Sequence, residues 1–166
     1  MSATHAQVWD AYQRVWGRIE GRGYRINYTG LGPYSGCVWW DTRLVQIRRT
    51  PTSGGESPDP ADEETVRKEL CVLCHELAHI EYKDDDEQGW LYYFGVLNQW
   101  GAESKEPPAE NRARIILAEE ERAEAAGRRI LRRILPEPEL LKLYDDRAEE
   151  SLTEYRKKLG LAKGST

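Results

Sequence analysis

Two histidines four residues apart, His75 and His79, with Glu76 directly after the first, are the residues of this chain best suited to chemistry. The 166 residues contain only three histidines, and two of them stand here. An α-helix turns once per about 3.6 residues, so positions i and i+4 share a face. Both imidazoles then reach one Zn²⁺ at about 2.0–2.1 Å. Glu76, one step round the helix, is placed to reach a water on the metal rather than the metal itself. Zinc lowers the pKa of such a water toward about 7, and Glu76 as general base takes its proton when the water attacks a carbonyl. The reaction expected is hydrolysis of a peptide bond by a zinc-dependent metalloendopeptidase. The bland alternative is a solvated helix with two ordinary histidines, and the flanks of the motif argue against it.

A catalytic zinc takes three protein ligands and leaves one position open. The missing ligand is expected from a carboxylate or histidine on a later helix. His5 lies upstream and is the weaker candidate. The run Glu119-Glu120-Glu121-Arg122-Ala123-Glu124 is the obvious source. Glu120 is the first choice, with Glu119, Glu121 and Glu124 as alternates. Ala123 is small enough to let its helix pack close to that of His75. Glu124, four residues after Glu120, shares its face and is placed to hydrogen-bond a ligating histidine from behind, fixing the ring. The plainer reading of the run is a solvated acidic face.

These residues need a scaffold, and the patterning supplies one. Val8, Tyr12, Val15, Trp16 and Ile19 form a helical stripe over residues 5–20. Three short extended runs follow, Tyr24–Tyr28, Cys37–Trp40 and Leu44–Arg48, the last two joined by a turn at Asp41-Thr42-Arg43. Thr50–Pro60, rich in Pro, Gly and Ser, reads as a loop, with Asp59 or Asp62 capping the next helix. Val66, Leu70, Leu73, Leu77 and Ile80 are the buried stripe of the His75 helix, which the acidic run Asp84–Glu87 ends. Helices are expected at Trp90–Trp100, at Asn111–Leu135 up to Pro136 and Pro138, and at about Glu139–Lys158. The fold class expected is α+β: a compact single domain over residues 1–166, with a small, mostly antiparallel three-stranded sheet packed on the His75 helix and further helices around it.

Composition narrows the rest. A net charge of −5 argues against an electrostatic nucleic-acid binder. No apolar run is long enough to span a membrane, and Met1–Asp10 lacks the basic-then-apolar pattern of a secretion signal. Three cysteines suit no secreted disulfide scaffold, so a cytoplasmic protein is expected. Six Trp and nine Tyr against one Phe point to a ring-filled core.

The order of elements resembles the ImmA/IrrE-type metallopeptidases. The matching residues are His75-Glu76-Leu77-Ala78-His79, then Glu120-Glu121-Arg122-Ala123-Glu124, then Ile130-Leu131 and Ile134-Leu135-Pro136. Gly36-Cys37-Val38-Trp39-Trp40-Asp41 ahead of Leu44–Ile47 looks like that family's strand pair. The resemblance covers roughly residues 5–137. It implies a compact zincin-like, gluzincin-type fold, one catalytic Zn²⁺ on His75, His79 and Glu120, and Glu76 as general base. It also implies a specific protein substrate, such as a helix-turn-helix DNA-binding repressor. Two departures stand out. Ala126-Gly127 replaces the family's Phe-Ala, and the Trp90–Trp100 helix lengthens the interval from His79 to Glu120. The rival class is a non-enzymatic, zinc-containing binding module that sequesters a regulatory partner, for which Glu76 has no evident use.

Four other signals have mostly bland readings. Cys71-Val72-Leu73-Cys74-His75 is formally a haem-attachment pattern, but buried inert thiols explain it better. Tyr82, Tyr92 and Tyr93 are candidates for a hydrogen bond to the developing oxyanion. The Trp90–Trp100 stripe reads as core, a dimer contact or a cleft wall. Arg128, Arg129, Arg132 and Arg133 read as a solvated face paired at i+4 with the preceding glutamates. Leu44–Arg48, if an edge strand, can bind an extended peptide by strand addition.

Overall fold

A computed structural model of the protein describes residues 3–29, 35–48, 63–103 and 106–161. The loop expected at Thr50–Pro60 and the caps expected at Asp59 or Asp62 lie outside these residues.

The chain opens on α1 (His5–Gly21), started by a capping box in which Thr4 and Gln7 satisfy each other's backbone. Val8, Ala11, Tyr12, Val15 and Ile19 are its buried face. The helix ends where Gly23 takes φ +81°, a conformation that costs glycine little. Three strands follow: β1 (Arg25–Thr29), β2 (Gly36–Trp39) and β3 (Leu44–Arg48).

The architecture is α+β, with five helices among the described residues and one three-stranded sheet of order β1-β3-β2. The sheet is mixed, which corrects the mostly antiparallel expectation. β2 pairs antiparallel with β3, as the tight turn through Trp40–Arg43 dictates, but β1 pairs parallel with β3, Ile26 opposite Val45 and Tyr28 opposite Ile47. The physical reason is burial. β3 carries the fully buried Val45 and Ile47 and takes the central position, so β1 meets β3 rather than its sequence neighbour. The same topology corrects the reading of Leu44–Arg48 as an edge strand: β3 is internal, and β1 and β2 are the edges among the described residues.

α2 (Glu63–Asp85) is the helix around which the rest packs. Every residue from Glu69 to Ile80 is buried, so it meets neighbours on all sides and not along one stripe only. It runs past Asp84 and breaks at Asp86. Then come α3 (Glu87–Glu103), α4 (Glu110–Ile134) and α5 (Pro138–Lys158), whose first residue is a proline, suited to a helix start. α4 crosses α2 at Ala123 and Gly127. A Cβ added at Gly127 would lie 3.0 Å from the Cys74 carbonyl oxygen and would overlap the Tyr144 hydroxyl. The missing side chain is what lets the two backbones approach. A smaller aromatic cluster, with Trp90 and Tyr93 of α3 against Ile116 of α4, closes the far end. Among the described residues no helix is long and apolar enough to cross a membrane.

Candidate metal centre and active-site cleft

Crossing α2 with α4 brings the acidic run of one helix onto the histidines of the other. His75 Nε2 and His79 Nε2 lie 3.1 Å apart. Glu120 Oε2 lies 3.6 Å from the first and 3.7 Å from the second. Among the described residues these three form one buried group able to hold a metal ion. A tetrahedral ion with ligands at about 2.0–2.1 Å has ligand–ligand edges of about 3.3 Å, so the donors are already spaced as one coordination shell.

The outward nitrogens each face a carboxylate, His79 Nδ1 in hydrogen-bond geometry and His75 Nδ1 at ion-pair distance but outside that geometry. His75 Nδ1 lies 3.2 Å from Glu124 Oε1, and His79 Nδ1 lies 3.2 Å from Glu119 Oε1. A carboxylate facing Nδ1 favours the proton there, which leaves both Nε2 lone pairs directed inward. Two acceptor nitrogens 3.1 Å apart repel unless a proton or cation lies between them. Each supporting carboxylate has an arginine in turn. Arg147 of α5 donates to Glu124 Oε2 at 2.6 Å. Arg122 grips both oxygens of Glu119 at 2.7 Å and also donates to the Ala78 carbonyl. The arrangement is two parallel relays, His75–Glu124–Arg147 and His79–Glu119–Arg122. Tyr93 of α3 donates to Glu120 Oε1 at 3.3 Å, leaving Oε2 for the cluster.

Charge explains the pKa pattern. Four buried carboxylates, Glu76, Glu119, Glu120 and Glu124, lie at the cluster, and Arg122 and Arg147 pair with two of them, Glu119 and Glu124. Burial pushes the His79 imidazolium down, but Glu120 and Glu119 more than offset this and hold it up at about 10. Burial lifts the Glu76 carboxyl above its ordinary range, against the pull of His75 and His79. Burial also opposes ionisation of Glu120, Glu119 and Glu124, yet each is held low: Glu120 by His79 and His75, Glu119 by Arg122 and His79, and Glu124 by His75 and Arg147, to about 2. This donor set, with buried carboxylates on every side of it, fits a divalent cation. Two imidazoles and one carboxylate are ligands zinc accepts, and other first-row ions accept them too.

Glu76 stands beside the cluster, buried, and lines the clefts that reach it. One, of about 690 Å³, runs between β2, α3 and α5; a smaller one, of about 310 Å³, leads off between β2 and α5. His75, Glu76, Gly36, Tyr155 and Lys158 belong to both, so the two form one passage across the site.

Of the alternates for third ligand, Glu119 and Glu124 support the histidines from behind, and Glu121 points away to Arg156 at 3.0 Å. Among the tyrosines, Tyr92 is exposed and Tyr82 lies under the Arg122 guanidinium, 4.0 Å from its ring centre. Tyr93 acts on Glu120. Arg128 pairs with Asp145 of α5 and not with a preceding glutamate, because Glu124 is taken by Arg147. Cys71 and Cys74 are free, buried thiols, and burial pushes Cys71 up to about 12. Sequence reasoning expected the α5 helix but gave it no part in the site. Arg147, Ser151, Tyr155 and Lys158 follow at i, i+4, i+8 and i+11 and form one wall, a stripe that reads as ordinary solvated face until the helix is placed. Gly36 was also missed; a glycine entering a strand is the only signal it gives.

Compared with known proteins, the chain matches no family model, no curated protein and no solved structure.

Proposed function

We propose that this chain is a zinc-dependent endopeptidase of zincin-like build, related in plan to the ImmA/IrrE-type enzymes. The observation that carries the reading is the convergence of His75 Nε2, His79 Nε2 and Glu120 Oε2 within 3.1–3.7 Å, beside a buried carboxylate that joins neither relay. His75, His79 and Glu120 would hold the ion. Bound there, zinc supplies a Lewis acid and acidifies a water toward neutrality.

The chain's own residues do the rest. Glu76 takes the proton of the attacking water and returns it to the departing amine. A carboxyl lifted by burial is better matched to that shuttle than a solvated one. β2, an edge strand of the sheet among the described residues, borders the cleft and presents its outer backbone edge to an extended peptide. Tyr93 fixes Glu120, and the two relays fix the imidazoles. A folded regulatory protein of the cytoplasm, such as a helix-turn-helix repressor, is the substrate the resemblance favours.

The test is metal analysis of the full chain together with Glu76→Gln. The expected result is about one zinc per chain in both proteins, with new N-termini generated in a protein extract by the parent alone. Equal cleavage by Glu76→Gln, or a chain that binds no divalent metal, overturns the reading.

A further inference from the structure

The two arms of the cleft differ in chemistry, and the difference specifies a substrate. The larger arm is walled by Val38, Trp39 and Trp40 at the end of β2 and by Leu97 and Trp100 of α3. The smaller arm carries Arg147, Glu150, Ser151 and Glu154, with Val72 as its one aliphatic side chain. Both arms open onto His75 and Glu76. At about 690 Å³ the larger arm lies within the range of about 300–1,000 Å³ typical of cavities that enclose an organic ligand. Two of its rings have partners: Trp40 packs edge-on to Trp90, and the exposed Trp39 indole donates to Gln46. These five side chains make one apolar face of the chamber, and Asn98, Tyr93, Tyr155, Lys158 and the cluster residues also line it.

We infer that the larger arm binds one bulky apolar side chain, aromatic or long aliphatic, of the residue flanking the scissile bond, while polar chain occupies the smaller arm. The inference rests on the peptidase reading and names its substrate class. A peptide is the occupant the geometry favours, because the chamber is continuous with Glu76 and the two histidines on one side and with the backbone edge of β2 on another. A side chain extending from a strand laid along β2 enters the chamber while its carbonyl faces the cluster.

Leu97 is the position to vary, since it is half-buried on the chamber wall and contributes to neither relay. The experiment digests a proteome-derived peptide library with the zinc-loaded full chain, with Leu97→Trp, which fills the chamber, and with Leu97→Ser, which wets it. Folding is checked by circular dichroism and zinc content. The parent's cut sites are expected to carry Phe, Tyr, Trp, Leu, Ile or Met at one flanking position, enriched at least about 10-fold. Leu97→Trp is expected to shift that position to smaller residues, with zinc content unchanged. Tryptophan fluorescence of Glu76→Gln gives a readout independent of turnover: a peptide with Phe at that position binds at least about 10-fold more tightly than the same peptide with Ser. Glu76-dependent cleavage with no apolar flank, or a preference that Leu97→Trp leaves unchanged, overturns the inference and leaves the peptidase reading standing. Absence of cleavage by the parent removes both.

Discussion

Gly36 and Glu76 touch with no side chain between them. A Cβ added at Gly36 would lie 2.7 Å from Glu76 Oε1 and 2.5 Å from Val72 Cγ1. Real Cβ atoms essentially never approach that closely, so any larger residue at Gly36 has to displace the carboxylate or the edge strand. β2 thus sets the position of the proposed general base while contributing no functional side chain to it.

Gly36→Ala is expected to lower kcat/KM about 100-fold, the scale of a misplacement of about 1 Å in a reacting group. Overpacking costs about 1–3 kcal/mol of stability at the same time. Zinc content stays at the parental level, because Glu76 is no part of the donor group. Kinetics at equal zinc loading check this, and parental turnover in Gly36→Ala would show that the carboxylate has room to yield.

The two relays predict graded metal binding. Glu119→Gln and Glu124→Gln each weaken zinc by about 10–100-fold, as loss of a carboxylate behind a ligating imidazole typically does. Glu120→Gln removes a donor and weakens it further. Glu124→Ala also strips Arg147 of its carboxylate and costs about 3–5 kcal/mol, the usual effect of orphaning a buried charge. Glu119→Ala costs less, since Arg122 is more exposed and keeps the Ala78 carbonyl. Competition against a chromophoric chelator and urea melts measure the two quantities, and equal zinc affinity in all three glutamine variants would contradict the assignment.

Acid and metal compete for His79. Its folded pKa of about 10 lies above the ordinary 6.5, so the proton stabilises the metal-free chain fully below about pH 6.5. That contribution is lost as pH rises through about 10. Zinc must expel the same proton, so its affinity is expected to rise with pH across this window, by up to about tenfold per unit for one proton. Calorimetry in two buffers of different ionisation enthalpy is expected to find about one proton released per zinc at pH 8. A value of zero would mean that His79 is already neutral.

The sequence exposed the helix-borne part of the site because helical spacing is local. His75, Glu76 and His79 owe their relationship to five consecutive residues of one helix. The acidic run was legible as a source of carboxylates, but spacing alone does not separate Glu119 from Glu120. They differ only by about 100° of helix rotation, which sends one behind His79 and the other to both Nε2 atoms. Strand pairing is non-local, so the parallel match of Ile26 with Val45 leaves no trace in either segment. Arg147 was illegible for a different reason: an arginine on an amphipathic helix reads as surface until a buried Glu124 is placed beneath it.

The crossing of α2 and α4 at Gly127 has a consequence for how such a protein can diversify. Every donor atom of the cluster, and every carboxylate behind it, sits on those two helices. The chamber walls sit on β2, α3 and α5. Substitutions at wall positions that touch neither the donors nor their supports, such as Leu97, can therefore retarget the molecule without disturbing its chemistry, whereas a side chain at Gly127 would push the two helices apart and dismantle the donor group. A lineage built this way would keep a few short motifs recognisable while the surrounding chain drifted beyond overall similarity.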